Sequence, residues 1–381
     1  MHTVALTLSR WVKRKMRSSD LKFMRRALFL AENRARYVSP NPRVGAVLVR
    51  NGKVVGEGAT QPYGGAHAEA VALRKAGPRA KGATLYVTLE PCSHFGKTPP
   101  CADALVKAGV GKVVAAMGDP FPLVRGRGFG KLRRAGIPVK VGLLEKEALL
   151  LNPFFFRSLK LGRPWVILKA AVSLDGKMAP PAGGPRWITG RKARLRAHEI
   201  RSHADAILVG SGTAAADNPS LTVRLPGFRR RDGWPLRVVL DSKLKTGWDR
   251  KLFRGPAKTV LFTAPDASRA REKALKRKGI LVFRVPLFKK MLSLRAILKR
   301  LDSLQVRTLL VEGGGKIHAS FLEQNLVDGV ELFLSPARLG PKAVAWMGER
   351  GLEKIVCFPW EGRPRFEKIG ADFLLSGRKR G

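Results

Sequence analysis

The stretch GGAHAEAVAL, residues 64–73, sets His67 and Glu69 two residues apart at the start of a helical pattern, and TLEPCSHFGKTPPC, residues 88–101, follows with Cys92 and Cys101. One imidazole and two thiolates supply three ligands. A catalytic zinc takes three protein ligands and keeps a fourth position open for water. Bound zinc lowers the pKa of that water toward neutrality. A proton must then pass from the water to a leaving amine, and Glu69, on the first helical turn beside His67, can face the same water without ligating. The alternative is four unrelated structural residues. Two of the chain's three cysteines falling beside Pro91 in one short loop weighs against it. The third, Cys357 in IVCFPW, reads as buried and inert.

A His-x-Glu followed by Pro-Cys is the signature of zinc-dependent nucleobase deaminases. That signature usually closes as Pro-Cys-x-x-Cys, whereas eight residues, SHFGKTPP, separate Cys92 from Cys101 here. The prolines stiffen the insert. His94 has a ligand's side chain, but with Lys97 it reads as facing substrate, and both suit an anionic or carbonyl-rich one.

These residues need elements to hold them. DLKFMRRALFLAENRA has apolar residues at helical spacing, with Asp20 as its cap. VGAVLVRNGKVVGEG reads as a hairpin turning at Asn51-Gly52. A helix from His67, the strand ATLYVTL, the cysteine loop, the helix CADALVKAG, the strand KVVAAM, the helix GFGKLRRAG and the strand PVKVGLL come next. Strands alternating with helices predict an α/β layer on a largely parallel sheet. LNPFFFRSLKLGR, residues 151–163, breaks the rhythm and reads as a linker. A second α/β series then runs through PWVILKAAVSLDG, ADAILVGSGT, RVVLDS, TVLFTA and TLLVEGGG. The expected organisation is a disordered basic extension over 1–19, a domain over 20–150, the linker, and a domain over 164–381. No internal repeat is seen.

Composition bounds the class. A chain of 381 residues with 45% hydrophobic content can build two cores. It contains no apolar run long enough to span a membrane. Three cysteines make no disulfide framework, which fits a reducing cytoplasm. Lysine and arginine number 73 against 28 acids, a net charge of +45. Such an excess points to nucleic acid, anionic membrane or phosphorylated ligands. The basic residues are dispersed, however, through RKARLRAHEIR, FRRRDGWPLR, REKALKRKG and SGRKRG, and read as solvated faces rather than a binding stripe. Residues 1–19 contain no acid and lack the cleavage site of a targeting signal.

Nine blocks in order, SPNPRVGAVLV, HAE, TLEPCSHFGKTPPC, GDPFPLVRGRG, KAAVSLDGKMA, WITG, SHADAILVGSGTAAADNPSLTVR, VVLDS and LLVEGGG, resemble the bifunctional deaminase–reductase family of riboflavin biosynthesis. The resemblance runs from Asp20 to the C-terminus. It implies a cytidine-deaminase-like domain with one zinc per chain, followed by a dihydrofolate-reductase-like domain that uses NADPH. The implied first reaction hydrolyses an amine from a diaminopyrimidinone ribosylamino phosphate; the second reduces the ribosyl group to ribityl. Asn41, in the rigid SPNP loop, would offer amide hydrogen bonds to the pyrimidine edge. By the same resemblance Ala171, Trp187, Thr213, Asp217, Ser242 and the run Gly314, Gly315, Lys316, Ile317, His318, Ala319 and Ser320 line the NADPH site. The glycines there let backbone N–H groups and a helix start approach phosphate. Arg201, Leu221, Arg224, Glu312 and Pro185 match substrate positions, and arginine's planar fork suits a ribose 5-phosphate. Asp217, Glu312 or a water would supply the proton that accompanies reduction.

Three positions depart from the family pattern: Thr60 replaces a histidine, Phe121 an asparagine, and Pro185 a serine. Two rivals differ in class. An RNA adenosine or cytidine deaminase would share His67, Glu69 and the cysteines and use the positive charge, but has no need of the eight-residue spacing or of a second domain. A non-enzymatic nucleic-acid binder leaves the zinc constellation and VEGGG without purpose. The expected partners are therefore a small phosphorylated pyrimidine and further copies of the chain as a homo-oligomer, with no specific nucleic acid and no membrane.

Overall fold

The computed structural model describes residues 18–33, 38–96, 98–121, 124–180, 187–228, 234–247, 249–348 and 351–380. Lys97, Pro185 and most of the expected basic extension lie outside the described residues. The chain divides into two compact units, Met1–Lys160 and Leu161–Gly381. Among the described residues no helix is long and apolar enough to cross a membrane.

In the first unit a helix spans Ser18–Asn33. Asp20 lies within its first turn and not at the cap; its buried carboxylate accepts the Tyr86 hydroxyl at 2.6 Å. Strands β1 (Gly45–Arg50) and β2 (Lys53–Ala59) form the hairpin, with Asn51 and Gly52 at φ 50 and 72. Two successive left-handed residues make the tight turn whose twist matches paired strands. β3 (Thr84–Val87), β4 (Lys112–Ala115) and β5 (Val139–Val141) complete a sheet of order β2-β1-β3-β4-β5. Only β3, β4 and β5 run parallel; β1 is antiparallel to both its neighbours. The sheet is thus mixed where a largely parallel one was expected, because a two-residue turn can only join antiparallel strands.

The helix Ala68–Ala76 packs closely on β2, at Gly56 and Gly58. A Cβ there would come within 2.3 Å of Ala72 O and 2.4 Å of Ala68 O. Any side chain at either glycine would push that helix away, and His67 and Glu69 with it. Most of the span 151–163 is structured: the helices Glu145–Leu151 and Pro153–Leu161 meet at Asn152. Asn152 accepts the Arg43 N–H at 2.7 Å and donates to Arg43 O at 2.8 Å, while Phe156 packs on the first core. Its aromatic residues fold it onto the first unit, where a linker was expected.

The second unit contains β6 (Trp165–Ser173), β7 (Lys177–Ala179), β8 (Ala206–Gly210), β9 (Leu236–Leu240), β10 (Thr259–Thr263), β11 (Leu281–Arg284) and the short β12 (Leu287–Phe288) and β13 (Met291–Leu292). β14 (Thr308–Val311), β15 (Gly329–Ser335), β16 (Val344–Ala345), β17 (Arg365–Ile369) and β18 (Asp372–Arg378) follow. The main sheet has nine strands in the order β11-β10-β9-β8-β14-β6-β15-β18-β17. It is parallel from β11 through β15, and only β18 is reversed, pairing antiparallel with both β15 and β17. Leu208, Val238, Val260 and Leu309 enter one apolar cluster, and their neighbours Ile207, Val239, Leu261 and Leu310 enter another. Strands buried on both faces read as continuous apolar runs. The carboxyl ends of β9, β8, β14 and β6 stand side by side, which is where open α/β sheets bind ligands.

Candidate functional site

His67 is the extended residue that precedes the helix Ala68–Ala76, and Cys101 opens the helix Cys101–Lys107. His67 Nδ1 lies 3.5 Å from Cys92 Sγ and 3.3 Å from Cys101 Sγ. The three donor atoms all fall within 4.8 Å of one another. Tetrahedral zinc, with Zn–S near 2.3 Å and Zn–N near 2.0 Å, requires N···S separations of about 3.5 Å. The observed spacing fits that ion, as does the chemistry of two thiols and an imidazole. The Cys101 N–H donates to Cys92 Sγ at 3.3 Å and the Ala102 N–H to Cys92 O at 3.0 Å, so the second helix start holds the first sulfur in place.

Glu69 is 4% exposed and contacts Cys101. Burial, and after it the charge on Cys92, pushes its carboxyl up to about 7. Hydrogen bonding from Cys101, together with His67, draws Cys92 down to about 4, while Cys101 is pushed up by Cys92 and by burial. His67 is shifted upward, chiefly by its hydrogen bond with Cys92.

Three supporting residues escape motif reading. Thr98 Oγ1 lies 3.4 Å from His67 Nε2, which leaves Nδ1 facing the sulfurs. Buried Glu90, two residues before Cys92, accepts N–H groups from Asp119 at 3.2 Å, Gly126 at 3.0 Å and Phe129 at 3.2 Å. It ties the 118–126 segment and the next helix start to the ligand loop. Asp119, raised to about 6 mainly by burial, accepts the Phe121 N–H at 2.8 Å. A buried acid beside Pro-Cys was the available signal for Glu90; nothing in sequence marks the hydroxyl of Thr98.

Of the substrate candidates in this unit, His94 is half-buried with Nδ1 lacking a hydrogen-bond partner, and its ring centroid is 6.4 Å from that of Phe121. Asn41 is half-buried in a turn where its N–H donates to Val38 O at 3.0 Å. Thr60 Oγ1 is occupied with Val44, accepting its N–H at 3.1 Å. Lys97 lies outside the described residues.

In the second unit Thr213 and Asp217 lie on the helix Ser211–Asp217 after β8, Ser242 follows β9, and Glu312 to Gly315 follow β14. Ala171 is on β6. These positions converge on the row of carboxyl ends. A Cβ on Gly314 would sit 3.3 Å from Thr213 Oγ1, so glycine keeps the start of the helix Gly315–Glu323 open beside that hydroxyl. Such a start offers backbone N–H groups to a phosphate, which fits a dinucleotide. Of the side chains further along, Lys316 is exposed, while His318 and Ser320 are turned inward. His318 is 1% exposed, accepts Trp346 Nε1–H at 2.8 Å and sits 3.3 Å from Val311 O; Ser320 donates to Lys316 O at 2.9 Å. What 314–320 can give a cofactor is therefore its backbone and the Lys316 ammonium. Trp187 is 53% exposed under the Arg194 guanidinium, 5.1 Å from its ring centroid; Pro185 lies outside the described residues.

Arg201 and Glu312 form a bidentate pair, Nε–Oε1 at 2.6 Å and Nη2–Oε2 at 2.5 Å, and Arg201 Nη1 also donates to Thr222 O at 3.3 Å. The fork expected to receive a phosphate is thus committed to Glu312. Burial alone would raise Glu312, but Arg201 and Lys169 hold it down at about 2. Lys169, which sequence reasoning passed over inside KAAVSLDG, sits over the Phe333 ring at 5.6 Å, and burial pulls its ammonium below the usual lysine range. Leu221 is 2% exposed, whereas Arg224 is exposed. Cys357, expected to be buried, is exposed, on the same outward-facing side as Val356, which is 80% exposed.

Comparison with known proteins agrees with this geometry. Residues 164–371 match the RibD C-terminal domain, and residues 17–117 match the cytidine and deoxycytidylate deaminase zinc-binding region. The chain is 41% identical to the riboflavin biosynthesis protein RibD of Aquifex aeolicus (strain VF5), over 94% of its own length and 98% of that protein's. It is 38% identical to the RibD of Escherichia coli (strain K12), over 93% and 98%. The solved structure of Acinetobacter baumannii RibD superposes with a TM-score of 0.81 at 34% identity, covering 95% of this chain and 99% of that one. A Thermotoga maritima diaminohydroxyphosphoribosylaminopyrimidine deaminase/5-amino-6-(5-phosphoribosylamino)uracil reductase gives 0.75 at 36% identity, with coverage of 95% and 99%. The halves are accordingly a cytidine-deaminase-like and a dihydrofolate-reductase-like domain. The RNA-deaminase rival finds no support among these relatives.

Proposed function

The chain belongs to the RibD family, bifunctional deaminase–reductases of riboflavin biosynthesis that use zinc and NADPH, and from that premise we propose which of its residues carry each reaction. The observation that carries the proposal is the His67–Cys92–Cys101 cluster at zinc-ligand spacing with buried Glu69 against it.

In the first domain, covering roughly residues 20 to 160, His67, Cys92 and Cys101 would hold zinc, which would supply the Lewis acidity that makes water a nucleophile at neutral pH. Glu69 moves the proton from that water to the departing amine. Its burial keeps competing water away, and its place two residues after His67 fixes its aim. Thr98 orients the imidazole. Asn41, His94 and Lys97 bind the pyrimidine, with Phe121 across from His94.

In the second domain bound NADPH would supply hydride. Thr213, Asp217, Ser242, Ala171 and Trp187 with the backbone of Gly314 to Ser320 position it along the carboxyl ends. Arg201 orients Glu312 instead of taking the phosphate itself, and Arg224, exposed beside the buried Leu221, grips the 5′-phosphate. Lys169 takes the place of Glu312 as the proton source: Glu312 is held ionised by Arg201 and Lys169, whereas an ammonium destabilised by burial is the better donor. A reducing, cytoplasmic location belongs to the same reading, because cysteines that ligate zinc must escape disulfide formation. A homo-oligomer completes the proposal, and the exposed Phe366 on edge strand β17 offers it an apolar contact.

The test follows both products. Given the diamino precursor, the protein releases ammonia first and consumes NADPH afterwards. Glu69→Gln loses both signals but still oxidises NADPH when supplied with the deaminated compound. Asp217→Ala releases ammonia and leaves NADPH intact. NADPH oxidation from the precursor by the Glu69→Gln variant would show that reduction can come first and would overturn the assignment.

A further inference from the structure

The helix Arg191–Ser202 carries His198 and Arg201 three residues apart, so both face the same side. Two hydrogen bonds run from that face to one short stretch of backbone. Arg201 Nη1 donates to Thr222 O at 3.3 Å, and the Arg224 N–H donates to His198 Nδ1 at 3.2 Å. Leu221, just before the stretch, is buried with a left-handed backbone at φ 49. The Thr222–Arg224 backbone is therefore stapled at both ends to one helix, and Arg224 leaves the second staple with its side chain exposed.

We propose that His198 is a positioning residue of the reductase, a neutral imidazole whose Nδ1 fixes the backbone of Arg224 and so aims that guanidinium at the substrate's phosphate. The inference rests on the reading of Arg224 as the phosphate grip. His198 is 8% exposed. Burial, then the charges of Arg201 and Arg224, hold its pKa down at about 4, with Lys169 acting the same way and Glu312 opposing. The ring thus stays unprotonated at Nδ1 through the neutral range, as an acceptor must. A protonated imidazole would turn a donor toward the Arg224 N–H and open the staple. The hydrogen bond of this imidazole goes to the Arg224 backbone, so its effect should fall on binding and not on turnover.

The experiment uses the full-length protein, the deaminated substrate and the same compound without its phosphate. Arg224→Ala raises KM for the phosphorylated compound and leaves KM for the other unchanged. His198→Ala raises the same KM roughly tenfold, the worth of one lost hydrogen bond to a partly buried donor, with kcat within about twofold. His198→Asn, which places an oxygen where Nδ1 stands, restores most of it; His198→Gln, whose oxygen lies further out, does not. In an Arg224→Ala background His198→Ala adds nothing to KM, because the two act through one contact.

If His198→Ala does not fold, the Asn and Gln variants carry the same comparison. A kcat loss without a KM change, equal behaviour of Asn and Gln, or a full additional effect in the Arg224→Ala background overturns the positioning role and leaves the phosphate grip standing. An unchanged KM in Arg224→Ala itself overturns the grip and the inference together.

Discussion

Replacing Arg201 with methionine removes one partner of a buried ion pair and leaves the other in place. The side chains are 14% and 8% exposed, and Glu312 is held at about 2 against an ordinary value of 4.5. That depression corresponds to about 3 kcal/mol of stabilisation at neutral pH. It falls at the low end of what breaking a buried pair costs, about 3–5 kcal/mol. Lys169 still neutralises part of the orphaned carboxylate, so we expect a loss of about 2–3 kcal/mol, or several degrees in the unfolding temperature of this unit.

Tryptophan fluorescence during urea unfolding is the natural assay. Of seven tryptophans, six (Trp165, Trp187, Trp234, Trp248, Trp346 and Trp360) belong to the second unit, and Trp165 and Trp346 are buried. The folded-state pKa of Glu312 is depressed, so its contribution is complete above about pH 4.5 and is lost as pH falls toward 2. The gap between Arg201→Met and the unaltered protein should therefore narrow on acidification. Arg201→Met with Glu312→Met should recover much of the loss, though not all, because Lys169 is then the unpaired charge. A loss below about 1 kcal/mol at pH 7, or a gap that does not shrink by pH 3, would refute the reasoning.

Two further outcomes are expected. Metal analysis should find one zinc per chain in the unaltered protein and in Glu69→Gln but not in Cys101→Ser, and zinc returned after chelation should raise the unfolding temperature of the first unit; a full zinc complement in Cys101→Ser would remove that residue from the ligand set. Burial pushes Glu331 up to about 7. A carboxyl whose folded pKa is raised costs stability once pH passes its unfolded value, so Glu331→Gln should raise the melting temperature of the second unit at pH 8 and change it little at pH 4; equal shifts at both would exclude an ionisation effect.

The parts legible in sequence were those fixed by local chemistry. Asn51-Gly52 dictates its turn, His67 and Glu69 fall on one helix start, and the apolar runs around Ile207 and Leu309 announce central parallel strands. What stayed hidden depends on residues far apart in the chain. Asp20 looks like a cap until Tyr86 is seen to donate to it across 66 positions. Arg201 looks like a phosphate ligand until Glu312, 111 residues on, occupies its fork. The FFF of residues 154–156 reads as an interruption because its packing partners lie in the first hundred and fifty residues, not nearby. Lys169 was overlooked because an alternating strand shows which face a lysine takes but not what waits there.

Glu90 holds three backbone N–H groups of the 118–129 region, and Asp119 holds a fourth, that of Phe121. None of these contacts involves the Phe121 side chain. The backbone that carries position 121 is thus held by two carboxylates and not by the side chain mounted on it, which meets the ligand loop at the His94 ring. A different side chain there would change what the His94 ring meets while the backbone bonds to Glu90 and Asp119 stay in place.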